Sequence, residues 1–81
     1  MGKIKVGGKI SLDDGVSYRI LDIVIYNEEK YLFCCTEPKP IEPKILLCKE
    51  ENGEIYVSVE EEKEILLEIT KIVLKSMWLS L

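Results

Sequence analysis

Few groups in this chain could do chemistry: three cysteines, Cys34, Cys35 and Cys48, a set of carboxylates, and no histidine. Thiolates bind soft metals or act as nucleophiles, but a structural zinc site takes four ligands and a reactive thiol needs a group that lowers its pKa. Cys34 and Cys35 are adjacent, and on an extended chain adjacent side chains point to opposite faces. They are badly placed to bridge one another or to share one ion. Three reduced, inert thiols are expected, with Cys35 or Cys48 sharing a buried face with Phe33 or Leu46. Asp13-Asp14-Gly15 begins like a calcium loop but lacks that loop's later ligands and closing glutamate, so it reads as a hairpin turn. Glu60-Glu61-Glu62 lines up carboxylates, yet consecutive helix positions do not face one another. A Ser/His/Asp set is impossible without histidine, and Gly7-Gly8 alone is no phosphate loop. The expectation is a protein that is not an enzyme, with no catalytic residue, no cofactor and no metal.

Composition narrows the class further. The chain has 81 residues, 47% hydrophobic and 32% charged, which fits one soluble globular domain. Its net charge is −4, and Lys3, Lys5 and Lys9 gather positive charge at one end, so the body is more acidic than the whole. An acidic body repels phosphate backbones and attracts basic protein surfaces. The odd cysteine count and the lack of a leader-like segment before residue 10 point to a reducing, cytoplasmic setting. No apolar run is long enough to span a membrane.

The dominant element is the stretch 58–79, SVEEEKEILLEITKIVLKSMWL, which reads as one amphipathic helix. Ser58 with Glu61 fits a capping box. Glu60, Glu61, Glu62 and Glu64 crowd its start and Lys71 and Lys75 sit late, both matched to the helix dipole. Ile65, Leu66, Ile69, Ile72, Val73 and Met77 form a core stripe at helical spacing. A second seam lies outside that stripe: Leu67, Leu74 and Leu81 recur every seventh residue, joined by Trp78. Either the helix sinks into a curved sheet and is covered on both sides, or this seam meets a partner.

The sheet must come from residues 9–57. The stretch 9–13 alternates, and Asp14-Gly15 signals a two-residue hairpin. In 16–26 the apolar phase begins even, at Val16, Tyr18 and Ile20, then turns odd, at Leu21, Ile23 and Ile25. That change implies a bulge or bend near Ile20-Leu21. Residues 27–29 form a turn. Residues 30–36 are apolar on both faces and so central. The stretch 37–43 holds all three prolines, and 44–50 is a further strand. Asn52-Gly53 is a second hairpin signal before the last strand, 54–57. Residues 1–8 are expected to fray.

The runs ISLDDG, ILDIVIYNEEKYLF, EPKILL and NGEIYVSVEEEKEILLEI resemble the YrzB-like domains, small acidic bacterial proteins of unknown function. The likeness covers about residues 9–78 and lies in turns and apolar positions. It implies a similar fold and a cytoplasmic bacterial or phage origin, but no activity. This chain departs from the pattern by lacking an acidic tail and ending in the apolar SMWLSL.

The expected fold is α+β: a curled, barrel-like antiparallel meander of about five strands, with one C-terminal helix across its concave face. The expected function is a small acidic interaction module that contacts a protein partner, or a second copy as a homodimer, through Leu67, Leu74, Trp78, Leu81, Glu60, Glu61 and Glu64. It is expected to bind no nucleic acid and no membrane. Two other functions fit the sequence. One is a phage-type inhibitor whose acidic surface occupies a basic nucleic-acid-binding groove of a host protein. The other is a small RNA-binding barrel that stacks bases on Tyr18, Tyr26, Tyr31, Phe33 or Tyr56.

Overall fold

The computed structural model describes residues 4–37 and 40–80, with side chains through residue 76. Five strands, β1 (Lys9–Ser11), β2 (Ser17–Tyr26), β3 (Glu29–Glu37), β4 (Pro43–Glu51) and β5 (Glu54–Val59), precede one helix, α1 (Lys63–Ser80). Every strand pairs antiparallel with its sequence neighbour, giving the order β1-β2-β3-β4-β5. The sheet is a meander curled into a half-barrel, and the fold is α+β.

Turn chemistry sets the registers. Asn52 and Gly53 both have positive φ, 51° and 81°, the condition for the two-residue turn that leaves Glu51 opposite Glu54. The β2–β3 turn has the same form at Asn27 (φ 52°) and Glu28 (φ 65°), with Tyr26 opposite Glu29. The first hairpin differs from expectation. Only Gly15 has positive φ there, so the loop is three residues long. The Gly15 N–H donates to the Leu12 carbonyl at 3.0 Å and the Leu12 N–H to the Val16 carbonyl at 3.2 Å. Asp14 fixes the loop by accepting from the Val16 N–H at 2.8 Å and the Tyr18 hydroxyl at 2.9 Å. Gly7 and Gly8 continue the pairing with β2: the Gly7 N–H donates to the Ile20 carbonyl and the Ile20 N–H to the Gly8 carbonyl, both at 2.8 Å.

The bulge expected in β2 is present. Ile20 pairs with Cys34 and Asp22 with Phe33, so Leu21 has no partner. One extra residue inverts the pleat. Tyr18, Ile20 and Ile23 therefore share one face of the sheet, with Leu32, Cys34, Leu46 and Cys48. Val24 and Tyr26 share the other, with Tyr31, Phe33, Ile45 and Leu47.

The two faces are covered differently. Ile10 from β1 and Val57 and Val59 from β5 pack on the first cluster, so the sheet curls toward that face and fills its own concavity. α1 rests on the second cluster through Ile65, Leu66, Ile69 and Val73. The helix thus lies on the convex face, not the concave one. The concave side is already filled, and the apolar half of the convex side is what remains to bury. The rest of the convex face is polar: Glu37 accepts from Arg19 Nε at 3.0 Å and meets Lys9 Nζ at 3.1 Å.

Two expected outcomes follow. Glu28 holds a left-handed conformation that costs a non-glycine residue about 1–2 kcal/mol, part of which glycine's unfolded-state entropy offsets. Glu28→Gly should raise the urea midpoint. An unchanged or lower midpoint would show that the Glu28 side chain makes up the difference. The Arg19 guanidinium, then Lys9, hold the Glu37 carboxyl below its ordinary 4.5. A lowered folded-state pKa adds stability above the ordinary value and loses it as pH falls through the lowered one. The stability gap between the wild type and Glu37→Gln should therefore narrow as pH drops below 4.5, measured by urea titration at each pH.

Candidate functional site

The helix begins later than the sequence implies. Ser58 and Val59 still belong to β5, opposite Leu47 and Leu46. The Glu60 N–H continues that pairing by donating to the Ile45 carbonyl at 2.8 Å. The Ser58–Glu61 capping box does not form, because the ladder holds Ser58 extended. Instead Glu60 Oε2 accepts from the Glu62 N–H at 3.1 Å, and the Leu66 N–H donates to the Glu62 carbonyl at 2.9 Å, the helix's first bond. Of the four glutamates expected to open the helix, Glu64 alone stands in its first turn. Glu60 is half-buried, and Glu61 and Glu62 lie exposed just ahead of it.

The core stripe is narrower than expected. Ile69 and Val73 are fully buried and Ile65 and Leu66 half-buried, but Ile72 is 38% exposed. The side chain of Met77 lies outside the described residues. A straight helix on a convex surface touches it along one line, so a residue to the side of Ile69 and Val73 misses the sheet.

The second seam is outside. Leu67 is 56% exposed and Leu74 60%, outside the stripe that α1 packs on the sheet. A helix buried on both sides is thereby excluded at these two positions. The other two seam residues, Trp78 by its side chain and Leu81 entirely, lie outside the described residues. Near the seam Lys71 Nζ lies 3.5 Å from Glu68 Oε2, one turn apart. A shallow cleft of about 450 Å³ flanks the first turns, between Tyr26 and Asn27 on one side and Glu64, Leu67 and Glu68 on the other. Thus the structure brings Leu67, Leu74 and Glu64 onto one helix and sets Glu60 and Glu61 at its entrance. Sequence reasoning did not foresee that Ile72 would be exposed.

The remaining candidates have structural roles. Cys34 is closed into the concave core, and burial pushes its thiol up to about 12. Burial raises Cys48 too. Cys35 lies half-buried on the opposite face. Among the described residues no group of cysteines and carboxylates is arranged to hold a metal ion. Both oxygens of Asp14 are engaged by its own turn. Tyr18 and Tyr31 are raised chiefly by burial. Those two rings are buried, Tyr26 and Phe33 pack beside the helix, and Tyr56 is the exposed ring among those described. No helix among the described residues is long and apolar enough to cross a membrane.

Comparison with protein families, with curated proteins and with solved structures finds no match to this chain. The surface geometry is therefore the ground on which a function is argued.

The thiols give a direct check. Native-state alkylation should modify Cys35 first and reach Cys34 and Cys48 only on unfolding, followed by mass spectrometry. Because the folded-state pKa of Cys34 is raised, its contribution to stability is full below its ordinary 9.0 and falls as pH rises toward 12. Native labelling of Cys34 at the rate of Cys35 would contradict its place in the core.

Proposed function

We propose that this protein is a non-enzymatic, cytoplasmic interaction module that pairs with a second copy of itself through the outward face of α1. The observation that carries the reading is the exposure of Leu67 and Leu74, one heptad apart, outside the stripe that α1 packs on the sheet. Burying one leucine side chain is worth about 1.5–3 kcal/mol, so two such residues per copy favour a matching apolar surface. Trp78 and Leu81 extend the same heptad phase in the sequence.

Charge selects the second copy and its direction. Glu60, Glu61 and Glu64 lie at one end of the helix, and Lys71 and Lys75 lie farther along it. Two copies laid antiparallel bring each acidic start toward the other's lysines and oppose the two helix dipoles. A parallel arrangement sets acid against acid. Antiparallel pairing is also what a two-fold axis across a single helix produces. The likeness to YrzB-like domains favours a cytoplasmic bacterial or phage setting. The inhibitor reading draws on the same glutamates, but an anionic mimic does not need an apolar seam. The RNA-barrel reading needs open aromatic platforms, and four of its five rings lie in or against the core.

The test is sedimentation of the full chain. The wild type should be dimeric at about 100 μM, since mass action favours the assembled state at high protomer concentration. The double variant Leu67→Glu, Leu74→Glu should be monomeric with an unchanged far-UV circular dichroism spectrum. A monomeric wild type, or a double variant that still dimerises, would refute the pairing.

A further inference from the structure

The sheet curls but does not close, and its last strand is unprotected. Glu60 bonds to Ile45 across the β4–β5 ladder, so by the alternation of antiparallel pairs Ser58, Tyr56 and Glu54 also face β4. The N–H and C=O groups of Ile55, Val57 and Val59 therefore point to the open edge. At the other end of the sheet, Gly8 and Leu12 bond to β2, so Lys9 and Ser11 turn their backbone groups outward. Edges are usually blunted by proline, lysine or a bulge. β1 is short and carries Lys9, but β5, EIYVSV, has none of these devices and is rich in strand formers.

Two clefts meet at Ile55, one at the turn end of β2, β3 and β4 and the other between β5 and β1. One, of about 720 Å³, has Ile4, Ile25 and Ile55 among its apolar residues, and its charged lining is four glutamates, Glu28, Glu29, Glu50 and Glu51, against Lys30 and Lys49. The other, of about 560 Å³, lies between Ile10 and Leu12 on one side and Ile55 and Val57 on the other, with Asp13 and Asp14 at its end. Carboxylates outnumber lysines around the two clefts, and Glu54 and Glu60 flank the apolar residues of β5 itself.

We propose that this open edge takes an extended segment of a partner protein as a sixth strand beside β5. Its alternate apolar side chains enter the cleft between Ile55 and Val57 on one side and Ile10 and Leu12 on the other, and a lysine or arginine at each end meets the acidic groups. Charge argues for a basic partner over a second copy. Antiparallel pairing of two β5 strands about Val57, the register that pairs Ile55, Val57 and Val59 fully, would set Glu54 of one opposite Glu60 of the other, placing carboxylates together. The surface is separate from the outer face of α1 and does not depend on it.

The probe is an acetylated, amidated peptide, Lys-Val-Thr-Val-Thr-Val-Lys, added to the isotope-labelled full chain carrying Leu67→Glu and Leu74→Glu, so that the helix seam plays no part. Binding in the micromolar range is expected, with amide hydrogen exchange at Ile55, Val57 and Val59 slowed at least ~10-fold. The same peptide with alternate amides methylated, or with glutamate for lysine, should not bind. Val57→Pro should abolish binding and keep the fold, because the Val57 N–H points away from β4. If that variant does not fold, the methylated peptide decides. No shift at about 1 mM peptide, a limit that marks very weak binding, would overturn the proposal. So would equal binding of the methylated or glutamate peptide, unchanged binding to folded Val57→Pro, or Ile55 and Val57 amides already protected in the free protein.

Discussion

The structure turns on one unpaired residue. Leu21 is the extra member of β2 where it runs against β3, and its insertion inverts every side chain that follows. The reason lies next to it. Without the bulge Asp22 would keep the phase of Tyr18 and Ile20 and enter the concave core among Leu32, Cys34 and Leu46. A buried carboxylate without partners is strongly disfavoured. With the bulge, Asp22 turns to the convex side and its Oδ1 accepts the Ile23 N–H at 2.8 Å. Ile23 takes the core position instead. Val24 and Tyr26 then emerge on the convex face as the floor on which α1 rests.

That phase change was legible in the sequence, because a period-2 pattern that shifts by one has few other causes. What it would bury was only partly legible. The odd apolar phase at Leu21, Ile23 and Ile25 does not coincide with the core: Leu21 is the bulge itself, Ile25 is 64% exposed, and Val24 is buried. The segment is apolar on both faces, so alternation alone could not say which face would be covered. The covering element, α1, comes some forty residues later, beyond the reach of a local pattern. Turns behaved similarly. Asn52-Gly53 is decided by two residues that both accept positive φ. Asp14-Gly15 needed the Asp14 contacts with Val16 and Tyr18 to reveal a three-residue loop.

The helix boundary shows local preference losing to the ladder. Ser58, three residues before Glu61, is a good cap in isolation, worth about 1 kcal/mol. Extending β5 instead pairs Ser58 and Val59 with β4 and half-buries Val59 against the concave cluster, and the ladder bonds and that burial together outweigh the cap. The helix therefore starts after Glu62. Its seam at Leu67 and Leu74 was legible from the heptad spacing, because seven residues return to nearly the same side of a helix. Its outward direction was not, since it depended on which face of the sheet α1 would choose.

Both of the surfaces left uncovered follow from that choice. A barrel closes when its first and last strands pair, and a closed barrel has no edge. Here β1 has only three residues to offer β5, and the chain after Val59 does not return as a strand. Glu60, Glu61 and Glu62 break the apolar alternation that a sixth strand would need, while the acidic start suits a helix. The concave face is already filled by Ile20, Leu32, Cys34 and Leu46, so α1 can bury its stripe only on the convex side. Crossing to that side covers Val24, Tyr31 and Ile45 but leaves the β5 edge bare. It also leaves the part of α1 outside its stripe in solvent, with Leu67 and Leu74 on it. A single decision about where to bury one helical stripe therefore leaves an open strand and an apolar seam, on different sides of the molecule.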